Sequence, residues 1–337
     1  MEIRQSARVI WNNANQLRRV SYRVGPYLRF TRDAIARGVN PFDLVRTQFP
    51  LLLPSASKPP MISLELTGSC NLRCDYCYTL LAARPQGIMT ESTFKRVLYN
   101  VEKFGIERVR LIGGEPTMHP QFGDFAARLA KVTKYLQLVT NAQWKKSELA
   151  EAIVRAPIDL IEVSIDAGGR DQYEESRQRA SYDLLLSNLK SLSDIKRETG
   201  SKSTLNIRLM VRPSNRHTIA QERELYLQWA DVVMPQLVIE IKKLNNSDDT
   251  FSPLHIVEDK FPVCTLPFKA IEVKWSGDMP LCGPNDYDDK AKRIGLGNIN
   301  EMTIVEAWRS APMRQYRNAH RRRNSASMPA CKGCQGI

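Results

Sequence analysis

Cys70, Cys74 and Cys77 place three thiols within eight residues, in the run CNLRCDYC just past the strand-like segment MISLEL (61–66). Three thiolates on so short a loop can ligate three irons of a cubane and leave the fourth iron open. An open metal position is what a reactant needs in order to bind the metal directly. A structural zinc ion asks for four ligands, and below residue 217 the only histidine on offer is His119, beside a proline after the second expected strand.

Four more cysteines follow: Cys264, Cys282, Cys331 and Cys334. Four thiolates fully ligate a second [4Fe–4S] cluster; two pairs with a hairpin also describe a zinc ribbon. Cys264 and Cys282 stand 18 apart rather than in a CxxC knuckle, and only the terminal CKGC (331–334) has that form. The two sets together account for all seven cysteines of the chain.

The elements that must hold these loops read as strand, helix, strand, helix from residue 61 onward. Expected strands cover 61–66, 108–113, 135–140, 159–166, 204–213 and 235–244, with amphipathic helices between them. Thr90 caps the first of these helices and Gly105 ends it. Such alternation predicts an α/β fold with a parallel sheet, here a partial (βα)6 TIM-like barrel. Sites in such folds lie at the carboxyl ends of the strands, where the polar and cysteine motifs fall. The expected division is a basic helical extension over 1–60, a core over 61–244 and a small C-terminal cluster-binding unit over 245–337. In that last unit, 268–275 and 279–282 are expected to form a hairpin around Ser276-Gly277-Asp278, and 303–318 a helix.

The chain has 337 residues, 42% of them hydrophobic and 25% charged, and a formal net charge of +13. No run of 18 apolar residues occurs and the N-terminus has no apolar signal core, which predicts a cytoplasmic protein with reduced thiols. Residues 1–60 carry ten Lys/Arg against three Asp/Glu. With Tyr22, Tyr27 and Phe30 this segment is either a helical cap on the core or a peripheral contact with an anionic membrane surface. The later run of Arg314, Arg317, His320 and Arg321-Arg322-Arg323 reads as a solvated helix end or an attraction for a phosphorylated or nucleotide-linked substrate. Arg208 and Arg212 share one face of the fifth strand and need an anion, either a substrate's or a protein carboxylate such as Glu162 or Glu240. No stacking aromatics interleave with the charges, so nucleic acid is not an expected partner.

CNLRCDYC, with Tyr76 before its last cysteine, resembles the CxxxCxxC signature of the radical S-adenosylmethionine (radical SAM) superfamily. Further motifs stand in that family's order. Gly113-Gly114-Glu115-Pro116 resembles its GGE motif, implying a hold on the SAM amino group. Asn141 ends the third strand; Ser164 and Asp166 end the fourth, where the resemblance implies contact with the ribose; Arg177 resembles the arginine for the SAM carboxylate, with Gln178 where the family often has glycine. The C-terminal cysteines, with IGLGNINEMTIVEAWRS (294–310), resemble the SPASM/Twitch extension of one branch.

This resemblance implies SAM and a SAM-binding [4Fe–4S] cluster at Cys70, Cys74 and Cys77. It implies an auxiliary [4Fe–4S] cluster at Cys264, Cys282, Cys331 and Cys334, and an electron donor such as flavodoxin or ferredoxin. The reaction would begin with hydrogen-atom abstraction by a 5′-deoxyadenosyl radical. With every cysteine assigned, none is left to return a hydrogen atom. Loss of an electron to the auxiliary cluster is then the expected end, as in the Twitch-type cyclitol dehydrogenase group. The expected substrate is a small hydroxylated, sugar- or cyclitol-like molecule, either neutral or anionic. The alternatives are a peptide maturase or epimerase of the same branch, and a non-catalytic zinc protein with a basic surface for nucleic acid or membrane.

Overall fold

The computed structural model describes residues 28–48, 57–77, 86–237, 264–283 and 295–322, together with residues 324, 328 and 331. Cys334, Arg323, Glu240, the first 27 residues and the polar stretch 245–260 lie outside the described residues.

Seven parallel strands form one sheet in the order β8-β7-β5-β4-β3-β1-β9. Six are the expected ones: β1 (Ile62–Glu65), β3 (Arg108–Ile112), β4 (Tyr135–Thr140), β5 (Leu160–Asp166), β7 (Thr204–Val211) and β8 (Val232–Leu237). The last begins three residues before the expected 235, because Val232 and Val233 already bury themselves against the core. β9 (Ile271–Val273) departs from expectation. The turn at Ser276-Gly277-Asp278 forms, with Gly277 at φ +90° and Lys274 N donating to Asp278 O at 2.9 Å. Yet β9 pairs in parallel with β1, while β10 (Asp278–Pro280) pairs with β11 (Gly295–Asn298). The C-terminal segment thus closes one edge of the core sheet.

Helices pack on the outer face. Glu91–Phe104 starts at Thr90, whose hydroxyl accepts from Thr93 N, and stops at Gly105 in the left-handed region, φ +56°. It buries Phe94, Val97 and Val101, and the Phe94 ring stacks on Phe125 of helix Phe122–Val132 at 3.7 Å. The expected helix over 303–318 is two, Ile304–Trp308 and Ala311–Arg321, because Ser310 caps a new helix with Pro312 in its first turn. The expected N-terminal helices appear at 28–36 and Pro41–Gln48. Ala34, Val39 and Leu44 there pack on Tyr135 and Leu160, the first residues of β4 and β5. They therefore cover the amino ends of the strands, opposite the cysteine loop. No described helix is long and apolar enough to cross a membrane.

Candidate active site at the carboxyl ends of the strands

The loop after β1 is fastened to the loop after β3 by backbone. Gly114 N donates to Thr67 O at 3.0 Å and Glu115 N to Ser69 O at 2.8 Å. A side chain at Gly114 would put Cβ 2.0 Å from the Ser69 carbonyl oxygen, so the close approach requires glycine. Gly113 sits at φ +116°, with Glu65 packed where its Cβ would be. Glu115 is buried, and its Oε1 accepts from the Thr117 hydroxyl at 2.7 Å, the Thr117 amide at 3.3 Å and the Thr140 hydroxyl at 2.7 Å. Oε2 accepts from Asn141 N at 2.8 Å. Glu115 thus ties the ends of β3 and β4 together, with one carboxylate acceptor site remaining on Oε2. Burial holds its carboxyl above the usual carboxylate range.

Asn141 reaches the cysteine loop directly. Its Nδ2 lies 3.7 Å from Cys70 Sγ and donates to Asn71 Oδ1 at 2.8 Å, while Asn71 donates to Gln143 O at 2.7 Å. Burial, then the Glu115 charge, pushes the Cys70 thiol up to about 11; burial pushes Cys74 up to about 12 against the pull of Arg177.

Asp166 and Arg177, for which the resemblance implies SAM contacts, also bind each other. Arg177 Nε donates to Asp166 Oδ1 at 2.7 Å, and both side chains are almost wholly buried. Tyr76 hydroxyl donates to the same Oδ1 at 2.7 Å and accepts from Arg177 Nη2 at 2.6 Å. Ser176 hydroxyl donates to Oδ2 at 2.6 Å. Two short strands, β2 (Arg73–Cys74) and β6 (Arg177–Gln178), pair antiparallel and set Cys74 opposite Arg177. Tyr76, a motif residue read only as an aromatic, is therefore the link between the cysteine loop and β5. Ser164 shares the face of β5 that carries Glu162 and Asp166, and is half-buried.

Both candidate substrate arginines find protein anions. Arg208 Nη2 pairs with Glu162 at 2.6 Å and its Nη1 contacts Gln236. Arg212 pairs with Asp75 of the cysteine loop at 2.6 Å. His119, the zinc alternative, is buried: Nδ1 accepts from Gln121 N at 3.1 Å, and Nε2 lies 2.9 Å from Met89 O. Among the described residues no three His, Cys, Asp or Glu side chains converge closely enough to share one metal ion. Three thiols carried on one loop suit a cluster in which each sulfur takes a different iron.

Between this loop and the C-terminal segment lies a cavity of about 470 Å³. Strands from β8 at one end of the sheet to β9 at the other line it, through Gln236, Arg208, Glu162, Arg110, Ser63 and Glu272, so the sheet curls around it. Cys77 borders it from the loop and Cys282 from the C-terminal side, with Leu281 and Met313 supplying apolar wall.

Of the C-terminal cysteines, Cys264, Cys282 and Cys331 lie near Tyr316 on helix Ala311–Arg321. Burial, then Cys282, Cys264 and Cys331 in that order, push the Tyr316 hydroxyl well up. His320 Nδ1 accepts from Cys264 N at 3.2 Å, and Nε2 lies 3.5 Å from Cys331 Sγ. Burial pushes this imidazole down to about 4. The expectation of a solvated basic helix end thus fails at two of its five described residues: Arg317 and His320 are buried, while Arg314, Arg321 and Arg322 are exposed. The missed signal is the helical spacing of Met313, Tyr316, Arg317 and His320, all buried.

Comparison with known proteins agrees with this layout. The family model described as the radical SAM superfamily matches residues 64–224, and SPASM, an iron–sulfur cluster-binding domain, matches 264–335. The tungsten-containing aldehyde ferredoxin oxidoreductase cofactor-modifying protein of Pyrococcus furiosus is 22% identical over 308 residues, spanning 80% of this chain and 86% of that one. A probable GTP 3′,8-cyclase of Pyrococcus horikoshii is 25% identical over 204 residues, spanning 59% of this chain and 64% of that one. Among solved structures, Streptococcus suis SuiB bound to S-adenosylmethionine superposes with TM-score 0.54 at 15% identity, over 76% of this chain and 67% of that one. BtrN in complex with AdoMet and 2-DOIA gives TM-score 0.51 at 16% identity, over 81% and 92%. Identities this low speak for the shared fold.

Proposed function

We propose that this chain, which carries a radical SAM domain followed by a SPASM domain, removes a hydrogen atom and then an electron from a small hydroxylated substrate held in the cavity between its two cysteine sets. The observation that carries this reading is the cavity itself, bordered by Cys77 on one side and Cys282 on the other. In this proposal Cys70, Cys74 and Cys77 hold the SAM-binding [4Fe–4S] cluster, and Cys264, Cys282, Cys331 and Cys334 the auxiliary one. The radical SAM domain implies SAM and its cluster, and the SPASM domain implies further iron–sulfur ligation. Held by Cys70, Cys74 and Cys77, such a cluster would supply the electron for reductive cleavage of SAM.

The chain's residues do the rest. Gly113 and Gly114, which border the cavity, keep the loop after β3 close against the cysteine loop on the SAM side, and the remaining acceptor site on Glu115 takes an N–H of the SAM amino group. Asn141, Ser164 and the Asp166–Arg177 pair shape the rim around its nucleoside. Cavity side chains orient the substrate: Arg110 and Ser63 offer donors, Glu162 and Glu272 acceptors. A carbon radical beside a hydroxyl becomes a ketone when the hydroxyl proton and one electron leave. Glu272 is the carboxylate proposed to take the proton, and Cys282 marks the side toward which the electron leaves. Arg208 and Arg212, already paired with Glu162 and Asp75, favour a neutral or zwitterionic substrate over a strongly anionic one.

Substrates deuterated at candidate carbinol positions, incubated anaerobically with the reconstituted chain and SAM, test this. Deuterium in 5′-deoxyadenosine and a product two hydrogens lighter are expected. A product that has only exchanged its deuterium for a hydrogen would replace the oxidation with epimerisation, and labelling from a peptide instead would replace the substrate class. In Cys282→Ala, SAM cleavage should continue while ketone formation falls at least a hundredfold.

A further inference from the structure

Two cysteines of the C-terminal set are bridged by one imidazole. His320 is 1% exposed on helix Ala311–Arg321, with its Nδ1 3.2 Å from the Cys264 amide nitrogen and its Nε2 3.5 Å from Cys331 Sγ. A backbone N–H can only donate, so Nδ1 must present its lone pair. In a neutral imidazole the proton then sits on Nε2. That proton points at Cys331 Sγ, within the reach of an N–H···S hydrogen bond. The Tyr316 ring stands edge-on to the imidazole at 4.8 Å and 66°, which fixes its plane. A flip of the ring would forfeit the bond from Cys264.

We propose that His320 donates a hydrogen bond to the Cys331 sulfur and so raises the reduction potential of the auxiliary cluster. The proposal rests on the reading that Cys331 is one of that cluster's ligands. A donor aimed at a ligating thiolate withdraws electron density and favours the more negative, reduced form. In a site that must take an electron from a substrate radical, that shift is in the useful direction. His320 is a positioning and tuning residue here; it touches neither substrate nor the reacting carbon.

The test is an EPR-monitored redox titration of the anaerobically reconstituted full chain beside His320→Phe and His320→Gln. Wild type should hold about eight irons per chain, as two cubanes require. In His320→Phe the reduced-to-oxidised ratio of the auxiliary cluster at a fixed potential should fall about tenfold, a downward shift of about 59 mV for one electron. The SAM-binding cluster should stay where it was, and His320→Gln, which keeps an N–H donor, should recover most of the shift. An unmoved potential in His320→Phe overturns the proposal. So does a fall to about four irons, which would make His320 a ligand. Should the phenylalanine variant fail to fold, 15N-histidine-labelled wild type decides by pulsed EPR: a weak nitrogen coupling to the reduced auxiliary cluster is expected, and its absence or a strong, directly bonded coupling refutes the idea. Wild type with only about four irons refutes the parent reading of two clusters, a result separate from any behaviour of His320.

Discussion

Replacing Asp166 by Asn would leave the Arg177 guanidinium, 4% exposed, without its anion. Stranding one member of a buried ion pair costs about 3–5 kcal/mol, so the Asp166→Asn midpoint in urea should drop accordingly. Gly114→Ala acts on the same loop by another route. Its methyl would press on the Ser69 carbonyl, so the expected outcome is loss of about four irons per chain with far-UV circular dichroism unchanged; full iron retention would contradict it. Both effects concern contacts the sequence conceals. The cysteines and glycines announce themselves by spacing, but Arg177 finds Asp166 only because β5 and the following helix fold back within 11 residues. Glu115 looks like a ligand group and spends most of its acceptors on Thr117, Thr140 and Asn141. His320 looked like part of a charge run because its neighbours are arginines; only its phase on the helix gives it away.

Strand and helix assignments read well where the periodicity is long. The six core strands and the Thr90–Gly105 helix lie close to their expected places. β9 lies within its expected strand and the turn after it forms, but its parallel pairing with β1 is not legible because that partner lies some 200 residues earlier and no local signal reports a remote edge. The N-terminal helices add to their apolar contacts a few polar ones that respond to acid. Asn40 N donates to Glu107 at 2.7 Å, and Lys134 Nζ joins Glu107 at 2.5 Å to Gly38 O at 2.7 Å. Burial alone would push the Glu107 carboxyl up, but the Asn40 amide and the Lys134 ammonium pull it below the usual range. A depressed carboxylate stabilises fully above its unfolded value and loses that contribution as pH falls through the lower, folded one. Hydrogen exchange should therefore quicken in 28–48 as the pH falls below the usual glutamate range, before the sheet opens; simultaneous exchange in both would contradict this.

At the scale of the molecule, the C-terminal segment belongs to the core as much as to its own cysteines. Ile271–Val273 covers the β1 edge, and Leu281 and Met313 wall the cavity. A chain ending at residue 263 would expose that parallel edge, so it should aggregate on expression rather than yield a soluble core. Recovery of a monomeric, cooperatively unfolding fragment would count against the interdependence.

The Tyr76–Asp166–Arg177 clasp has a bearing on the protein's life in air. It is built wholly from amino-acid side chains, so the entropy of shaping the cysteine loop is met during folding and not at metal insertion. Were oxygen to strip a cluster from this loop, the clasp would stay in place, and refilling it would call for new iron, sulfide and reducing equivalents in place of a newly synthesised chain.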